Sequence, residues 1–257
     1  ISLAIILAGV LISCGVFITT GAFNYTLDGL YNFLPKISHH QKMADLSSTD
    51  SIDSVLATQP IMSYNSDAKY ILVEITDLDC MQCASFHGSD ASSDSFNQIL
   101  EDYVYRGKLD YAMLDLQVVG DITKHASAYC VAEQDTEKYF QYSDLVYKDF
   151  GVSITKDTAK DLLEKTPYLP NFDKQKFDDC VDSKKYNQRV LDLTDFTSVS
   201  LQQSSTPTFL IYSISTKEVK KLDGKTEKQK TYNLVKTFKG AQDYQLLMKP
   251  EIEKIVK

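Results

Sequence analysis

Basic residues are too dispersed in this sequence to form a continuous positive stretch. The 257 residues include 27 Lys and Arg against 35 Asp and Glu, which gives a formal net charge of −8. This balance argues against a nucleic-acid partner, because such a partner attracts clustered positive charge. The acidic residues are spread along the chain, which indicates a solvated surface. Internal repeats are also absent, and a hydrophobic content of 43% is enough for one core with a subdomain.

Charged residues are missing from positions 1–23, and the first one is Asp28. A helix over 1–23 would be about 35 Å long and would cross the hydrocarbon core of a bilayer. The sequence therefore predicts a transmembrane anchor there, since a cleaved secretory signal usually has a shorter apolar core. Leu11–Cys14 also resembles a lipoprotein cleavage box, so lipid attachment at Cys14 is the alternative. Both interpretations place the remainder outside the cytoplasm, joined to a membrane by a linker over 24–67.

A second Cys-x-x-Cys motif is also missing. Cys80 and Cys83 form the single motif, whereas Cys130 and Cys180 are isolated. Because a structural zinc site needs four ligands, this pattern favours a redox pair over half of a zinc site or an inert bridge. With Cys14 in the membrane, four cysteines are left, and an even number in an exported domain suggests two disulfides.

The motif follows Tyr70–Thr76, an apolar and β-branched run that is typical of a buried strand. A helix is predicted to begin at Met81, and its free N–H groups and positive dipole end would stabilise a thiolate on Cys80. We therefore expect Cys80 to be the nucleophile and Cys83 the resolving thiol of thiol–disulfide exchange.

Hydrophobic spacing divides the rest of a folded domain over 68–257 into strands and helices. The predicted order is strand, helix, strand, helical insertion, strand, strand and helix, which is an α/β fold. The helical insertion covers about 124–201. The predicted strands after the first are Leu109–Leu116, Phe209–Ile214 and Tyr232–Phe238, and a closing helix over Ala241–Val256 is interrupted at Pro250.

Thr206-Pro207 stands directly before a predicted strand, where a proline removes a donor from the strand ladder. A cis bond there would present the backbone of Thr206 as an open edge, and an ordinary loop proline is the alternative. Together with Glu74–Cys83 and Phe86-His87, and with the two cysteines of the helical insertion, this motif resembles the DsbA-like branch of the thioredoxin superfamily. The resemblance covers roughly residues 60–257 and is nearest to single-pass, membrane-anchored bacterial members.

This resemblance implies a thioredoxin fold in which a cis Pro207 packs against the cysteine pair and Thr206 hydrogen-bonds an extended substrate segment. Glu74 matches an acidic residue that accepts or relays the proton of Cys83, and a surface glutamate is the alternative. Asp77 is expected to cap a turn and His87 to lie on a helix surface.

Two further features qualify the resemblance. Met81-Gln82 replaces the Pro-His or Pro-Tyr of many members, so weaker stabilisation of the thiolate is expected and the direction of electron flow stays open. Cys130 and Cys180 are expected to form a structural disulfide, with a second redox pair or metal ligation as alternatives. Closing a loop of about 50 residues would stabilise the fold by about 4 kcal/mol.

The expected function is that of an extracytoplasmic thiol–disulfide oxidoreductase that forms, reduces or isomerises disulfides in exported proteins. Its expected partners are cysteine-containing exported proteins and a membrane redox partner, either a quinone-linked oxidase or a reductase. No cofactor, metal or nucleic acid is expected. A non-catalytic thioredoxin-like module that holds an extended peptide near Pro207 is the alternative.

Overall fold

The computed structural model describes residues 43, 46, 50–65, 67–89, 94–149, 162, 172–220 and 224–257. The predicted transmembrane anchor at 1–23, which includes Cys14, lies outside these residues, as does much of the predicted linker. Within the described ranges, no helix combines the length and the apolar character that crossing a membrane requires.

A five-stranded mixed sheet forms the centre of the described domain, in the order β1-β3-β2-β4-β5. β2 and β3 are parallel, whereas β1 runs antiparallel to β3 and β4 runs antiparallel to both β2 and β5. The predicted α/β class is therefore confirmed. The strands are β1 (Ile61–Met62), β2 (Tyr70–Thr76), β3 (Asp110–Asp115), β4 (Thr208–Lys220) and β5 (Thr226–Lys239).

Helices precede β1 and follow β2, β3 and β5, and those between β3 and β4 form the helical insertion. π-Helical turns continue two of the helices, at Leu100–Val104 and Phe196–Ser200, and precede the last one, at Tyr244–Met248. The α-helices are α1 (Ile52–Leu56), α2 (Met81–Phe86), α3 (Ser95–Ile99), α4 (Ile122–Ala132), α5 (Thr136–Lys148), α6 (Lys174–Asp182), α7 (Asn187–Asp195) and α8 (Lys249–Ile255).

The position of β2 determines where the cysteine motif lies. Its residues are buried from Ile71 to Thr76, as a central strand covered on both faces requires. Ile75, near the carboxyl end of β2, pairs with Thr208 at the start of β4. The chain that leaves β2 toward Cys80 therefore meets the chain that enters β4 from Pro207.

The β4–β5 hairpin is longer than the sequence predicts. The strand pairing continues outward to Lys220 and Thr226, beyond the predicted ends at Ile214 and Tyr232. The pairing of β4 with β2 ends at Ser213, so the outer part of the hairpin has no central strand beside it and most of its side chains are exposed. A strand that is solvated on both faces carries no hydrophobic alternation, and this explains the missed extension.

Two boundaries also differ from the prediction. α1 and β1 lie inside the segment 24–67 predicted as a linker, and Val55 and Leu56 are fully buried, so the folded part begins before residue 68. Pro250 stands in the first turn of α8 and does not interrupt a longer helix. A first-turn residue needs no intrahelical N–H partner, and proline is therefore favoured there.

Cys130 of α4 and Cys180 of α6 form a disulfide, with their Cα atoms 5.8 Å apart. Both side chains are buried, so the bond fastens two helices of the insertion from within. The predicted structural disulfide is confirmed. Because these two sulfurs are bonded to each other, they are not available to complete a zinc site with Cys80 and Cys83.

Replacing Cys130 and Cys180 with alanine is expected to lower the free energy of unfolding by about 2–4 kcal/mol, because the unfolded chain gains freedom when the loop is opened. Urea denaturation measures the change. The experiment uses a Cys80→Ser background, in which Cys80 and Cys83 cannot form a second disulfide. A reductant should destabilise the disulfide-containing protein and leave the double variant unchanged. Equal midpoints for the two proteins would show that the bond adds no stability.

Candidate functional site

Cys80 lies at the junction between β2 and α2, where it is half-buried, and Cys83 is buried one turn into the helix. Both cysteines are in the reduced form in this structure. Cys80 is the N-cap residue of α2, so the predicted helix start at Met81 is confirmed. A tight turn precedes it, in which the Cys80 N–H donates to the carbonyl oxygen of Asp77 at 2.9 Å. This turn leaves the Cys80 sulfur at the open end of the helix.

The Thr206–Pro207 peptide bond is cis, as expected, and lies beside Cys80. The Sγ atom of Cys80 is 3.6 Å from the carbonyl oxygen of Thr206 and 3.5 Å from the side-chain oxygen of Gln82. Pro207 is buried, whereas Thr206 is partly exposed. The structure thus places an accessible stretch of backbone next to the more exposed of the two sulfurs.

The two thiols differ strongly in acidity. The pKa of Cys80 is lowered to about 6, first by a hydrogen bond from the Cys83 thiol, then by the Thr206 side chain and the backbone N–H groups of Gln82 and Cys83, against the opposing effect of burial. Burial raises the pKa of Cys83, and the neighbouring Cys80 and Glu74 raise it further. At neutral pH, Cys80 is therefore a thiolate and Cys83 a thiol. This acidity of Cys80 arises although Met81-Gln82 supplies no cation.

Glu74 is fully buried, which excludes the surface glutamate of the alternative interpretation. Both of its carboxylate oxygens lie 3.2 Å from Nε2 of His87, and the hydroxyls of Thr76 and Tyr111 donate to it. Thr76 also acts on the buried Cys83 thiol, whose pKa it lowers against the larger effect of burial. One hydroxyl group therefore influences both the buried carboxylate and the buried thiol.

His87 is 1% exposed, so its expected place on a helix surface is wrong. Its ring packs between those of Phe96 and Tyr147, each with a centroid distance of 4.2 Å. Burial alone would lower the pKa of His87, but the charges of Glu74 and Asp144 raise it to about 9. The ring is therefore a cation at neutral pH, and the ionised Glu74 is tolerated inside the fold because this cation lies against it.

Asp77 caps the turn before Cys80, as expected, and also joins that turn to the loop after β3. Its carboxylate accepts hydrogen bonds from the N–H groups of Asp79 at 2.9 Å, Val118 at 2.8 Å and Val119 at 3.0 Å. His125 of α4 is fully buried and contacts the carboxylate of Asp77 at 3.3 Å. The helical insertion therefore holds the turn from which Cys80 emerges.

Asp79 adds a second connection between this turn and the helical insertion. It forms an ion pair with Lys124 of α4 and accepts a hydrogen bond from the Asp121 N–H at 3.1 Å. Gly120 has φ +73°, and a Cβ atom there would lie 1.9 Å from the Asp79 carboxylate. Only glycine fits this close approach, which fixes the residue before the nucleophile.

The structure brings all the sequence-predicted site residues to one edge of the sheet: Cys80, Cys83, Glu74, Thr206 and Pro207. Sequence reasoning missed the polar residues that support them, namely Tyr111, Lys124, His125 and Tyr147. The partners of His125 lie 10 and 48 residues away along the chain. No local pattern marks such a pairing, because it depends on how α4 packs on the sheet.

Alkylation of the reduced protein by iodoacetamide is expected to follow the titration of Cys80, with a midpoint near pH 6. Mass spectrometry of quenched samples gives the rate at each pH. A Cys80→Ser variant should lose the fast reaction, since Cys83 is buried and protonated. A midpoint near the usual thiol value of about 8.5 would contradict the acidity described above.

The buried pair of Glu74 and His87 is expected to make stability depend on pH. The pKa of His87 is about 9 in the folded protein, above its unfolded value of about 6.5, so the stabilisation is complete below pH 6.5 and is lost as the pH rises through 9. Urea denaturation in a Cys80→Ser background should show that the free energy of unfolding falls by about 3 kcal/mol because of His87 over this pH range. His87→Asn should remove that part of the slope and keep the part from His125, whose pKa is also raised to about 9, and a double His87→Asn, His125→Asn variant should lose both parts. An unchanged slope in His87→Asn would contradict the assignment.

Comparisons with known proteins agree with the fold described above. Residues 58–228 match the thioredoxin family. Oxidised BdbD from Bacillus subtilis has a TM-score of 0.58 and 18% identity, over 82% of this chain and 98% of that one. Wolbachia pipientis alpha-DsbA1 has a TM-score of 0.58 and 19% identity, over 80% of this chain and 96% of that one. For Chlamydia trachomatis DsbA the values are 0.54 and 18%, over 66% and 86%.

Among curated proteins, none matches this chain. At the identities above, the solved structures show a shared fold, and the family match carries the assignment. That match extends over more than half of the sequence, from β1 through the cysteine motif and the cis-proline into β5. The chain therefore belongs to the thioredoxin family.

Proposed function

We propose that this protein is an extracytoplasmic, DsbA-like thiol–disulfide oxidoreductase that forms disulfides in exported proteins through Cys80 and Cys83. The observation that carries the proposal is the state of Cys80. Its sulfur is half-buried, has a pKa of about 6 and lies 3.6 Å from the backbone of Thr206 at a cis-proline. An accessible thiolate beside an exposed backbone edge is the arrangement that disulfide exchange with an extended peptide requires.

The exchange begins with the oxidised pair. A substrate thiolate attacks the sulfur of Cys80, the Cys80–Cys83 bond breaks, and its electron pair passes to Cys83, which takes a proton by way of Glu74. A second substrate thiolate then attacks its own sulfur in the mixed disulfide, and Cys80 leaves as a thiolate. Cys80 is suited to both steps, because a sulfur of low pKa is a good leaving group near neutral pH.

The acidity of Cys80 favours the oxidising direction. A lowered thiol pKa stabilises the reduced pair and so makes the disulfide a stronger oxidant. The Cys80 pKa of about 6 supports the oxidising direction over reduction or isomerisation. Continued turnover then needs a partner that reoxidises Cys80 and Cys83. We assign this role to a quinone-linked membrane oxidase, which the apolar segment 1–23 would keep within reach.

Thr206 is proposed to bind the substrate through its backbone. Its partial exposure and its position at the entrance to β4 leave it open to an extended chain, which would pair with it as an added strand. A non-catalytic peptide-binding module would use the same edge. That alternative has no use for a thiolate of low pKa or for a proton acceptor beside a buried second thiol.

Cys83→Ala is expected to accumulate mixed disulfides between Cys80 and cysteine-containing exported proteins, because the thiol that returns the enzyme to its disulfide is missing. Non-reducing gels of cells that produce the variant reveal them as bands that a reductant removes. Cys80→Ser should trap nothing, and a Cys80→Ser, Cys83→Ala double variant is the matched control. If Cys83→Ala traps no mixed disulfides and Cys80→Ser still supports the function of the protein, the peptide-binding module is favoured.

A further inference from the structure

The exchange reaction described above leaves one ring nitrogen of His87 unused. Nε2 faces Glu74, whereas Nδ1 lies 3.9 Å from Oδ1 of Asp144 on α5. Within the described part of the chain, neither of these two buried atoms has a hydrogen-bond partner. Buried polar atoms nearly always have one, so a facing pair just beyond hydrogen-bond distance indicates a contact that forms at another stage of the reaction.

Asp144 connects the His87 ring with the surface. Its side chain is 20% exposed, and its second oxygen accepts a hydrogen bond at 2.7 Å from Lys148, which is 46% exposed. Glu74 at the inner end of this row is fully buried. Three titratable groups therefore lie in a row: the buried carboxylate of Glu74, the imidazole of His87 and the carboxylate of Asp144, which water reaches.

Among the residues that the structure describes, the other groups around the His87 ring do not provide a second route. Tyr147 stacks on the ring and its hydroxyl hydrogen-bonds Thr76, while Phe96 covers the opposite side. Burial raises the pKa of Tyr147 well above its ordinary value, and the same holds for Tyr111 on Glu74. These phenols stay protonated, so the ionised groups that face the ring are the carboxylates of Glu74 and Asp144.

Charge balance requires a second proton movement when Cys83 reacts. Glu74 and His87 together are neutral while Glu74 is ionised and His87 is protonated. If Glu74 takes the proton of Cys83, the buried pair becomes positive, and the carboxylate that still faces the cation is that of Asp144, 3.9 Å from the ring, so the buried charge is less well balanced. The charge of Glu74 is also the main influence that opposes burial and keeps His87 protonated. Neutralising Glu74 therefore favours release of a proton from the ring.

We propose that His87 and Asp144 release a proton to solvent each time Cys83 gives its proton to Glu74, and take one up when Glu74 returns it. The inference rests on the proposed function and adds to it a route for the proton. Asp144 reaches Nδ1 by a side-chain movement of about 1 Å, the difference between the observed gap and a hydrogen bond.

During the release of a molecule bound to Cys80, bonds change at Cys83, at Cys80 and at the His87 ring. The S–H bond of Cys83 breaks, its proton passes to Glu74, and its sulfur bonds to that of Cys80. The bond between Cys80 and the bound sulfur breaks, and the electron pair leaves with that sulfur as a thiolate. The N–H bond at Nδ1 of His87 breaks, and its proton passes to Asp144 and then to water. Nε2 keeps its own proton throughout.

Stopped-flow reaction of the reduced full-length protein with a chromogenic aryl disulfide tests this route. The first aryl thiolate is released when the Cys80 thiolate attacks, and the second when Cys83 closes the disulfide. A pH indicator in dilute buffer reports the proton that accompanies the second phase. Asp144→Asn should slow the second phase and its proton release about tenfold at pH 6–7, a modest share of what positioned proton transfer contributes. The first phase should not change.

Four comparisons make the test specific. The deficit of Asp144→Asn should shrink toward pH 9, because hydroxide then removes the proton directly, whereas a structural defect would act equally at every pH. Asp144→Glu should restore the second phase, and His87→Gln should slow it as Asp144→Asn does. Asp192→Asn, which changes a helical carboxylate bonded to Gln188 on α7, should leave both phases unchanged.

The outcomes separate the two proposals. An unchanged second phase in Asp144→Asn, or a deficit that is the same at every pH, would overturn the proton route and leave the exchange function standing. Absence of a second phase in the wild-type protein would instead remove the proposed function itself.

Discussion

The ion pair between Glu74 and His87 is the interaction on which the arrangement of this site depends. A carboxylate without solvent contact is tolerated only when a cation and hydrogen-bond donors surround it. His87, Thr76 and Tyr111 meet that requirement from different elements of the fold. The same carboxylate then acts on Cys83, whose pKa it helps to raise. The buried charge of Glu74, which its surroundings stabilise, thus helps to make Cys83 less acidic than Cys80.

The helical insertion does more than cover the sheet. It supplies Lys124 and His125 to the turn before Cys80, and Asp144 and Tyr147 to the surroundings of His87. The core of the fold places the cysteines, and the insertion determines what charges surround them. A variable element packed on a constant sheet is a general way for one fold to host different chemistry.

Several parts of this arrangement could be read from the sequence, because they depend on local patterns. The buried strand Tyr70–Thr76, the helix start at Met81 and the special character of Pro207 each follow from neighbouring residues. The burial of His87 could not be predicted, since it depends on Glu74, 13 residues earlier, and on a ring from α5. The outer β4–β5 hairpin was missed for a different reason, because a strand with both faces in water shows no periodic pattern.

The extended hairpin has a consequence for the state of the protein at high concentration. β5 is an edge strand of the sheet, and the outer half of β4 also lacks a neighbour on its second side among the described residues. Unpaired strand edges of this length invite pairing with another molecule and growth into aggregates. β5 carries Lys228, Lys230, Lys236 and Lys239 along its length. Lysines on an edge strand disfavour its pairing with another copy, so the polar character that hid these strands from sequence prediction also protects the exposed edge.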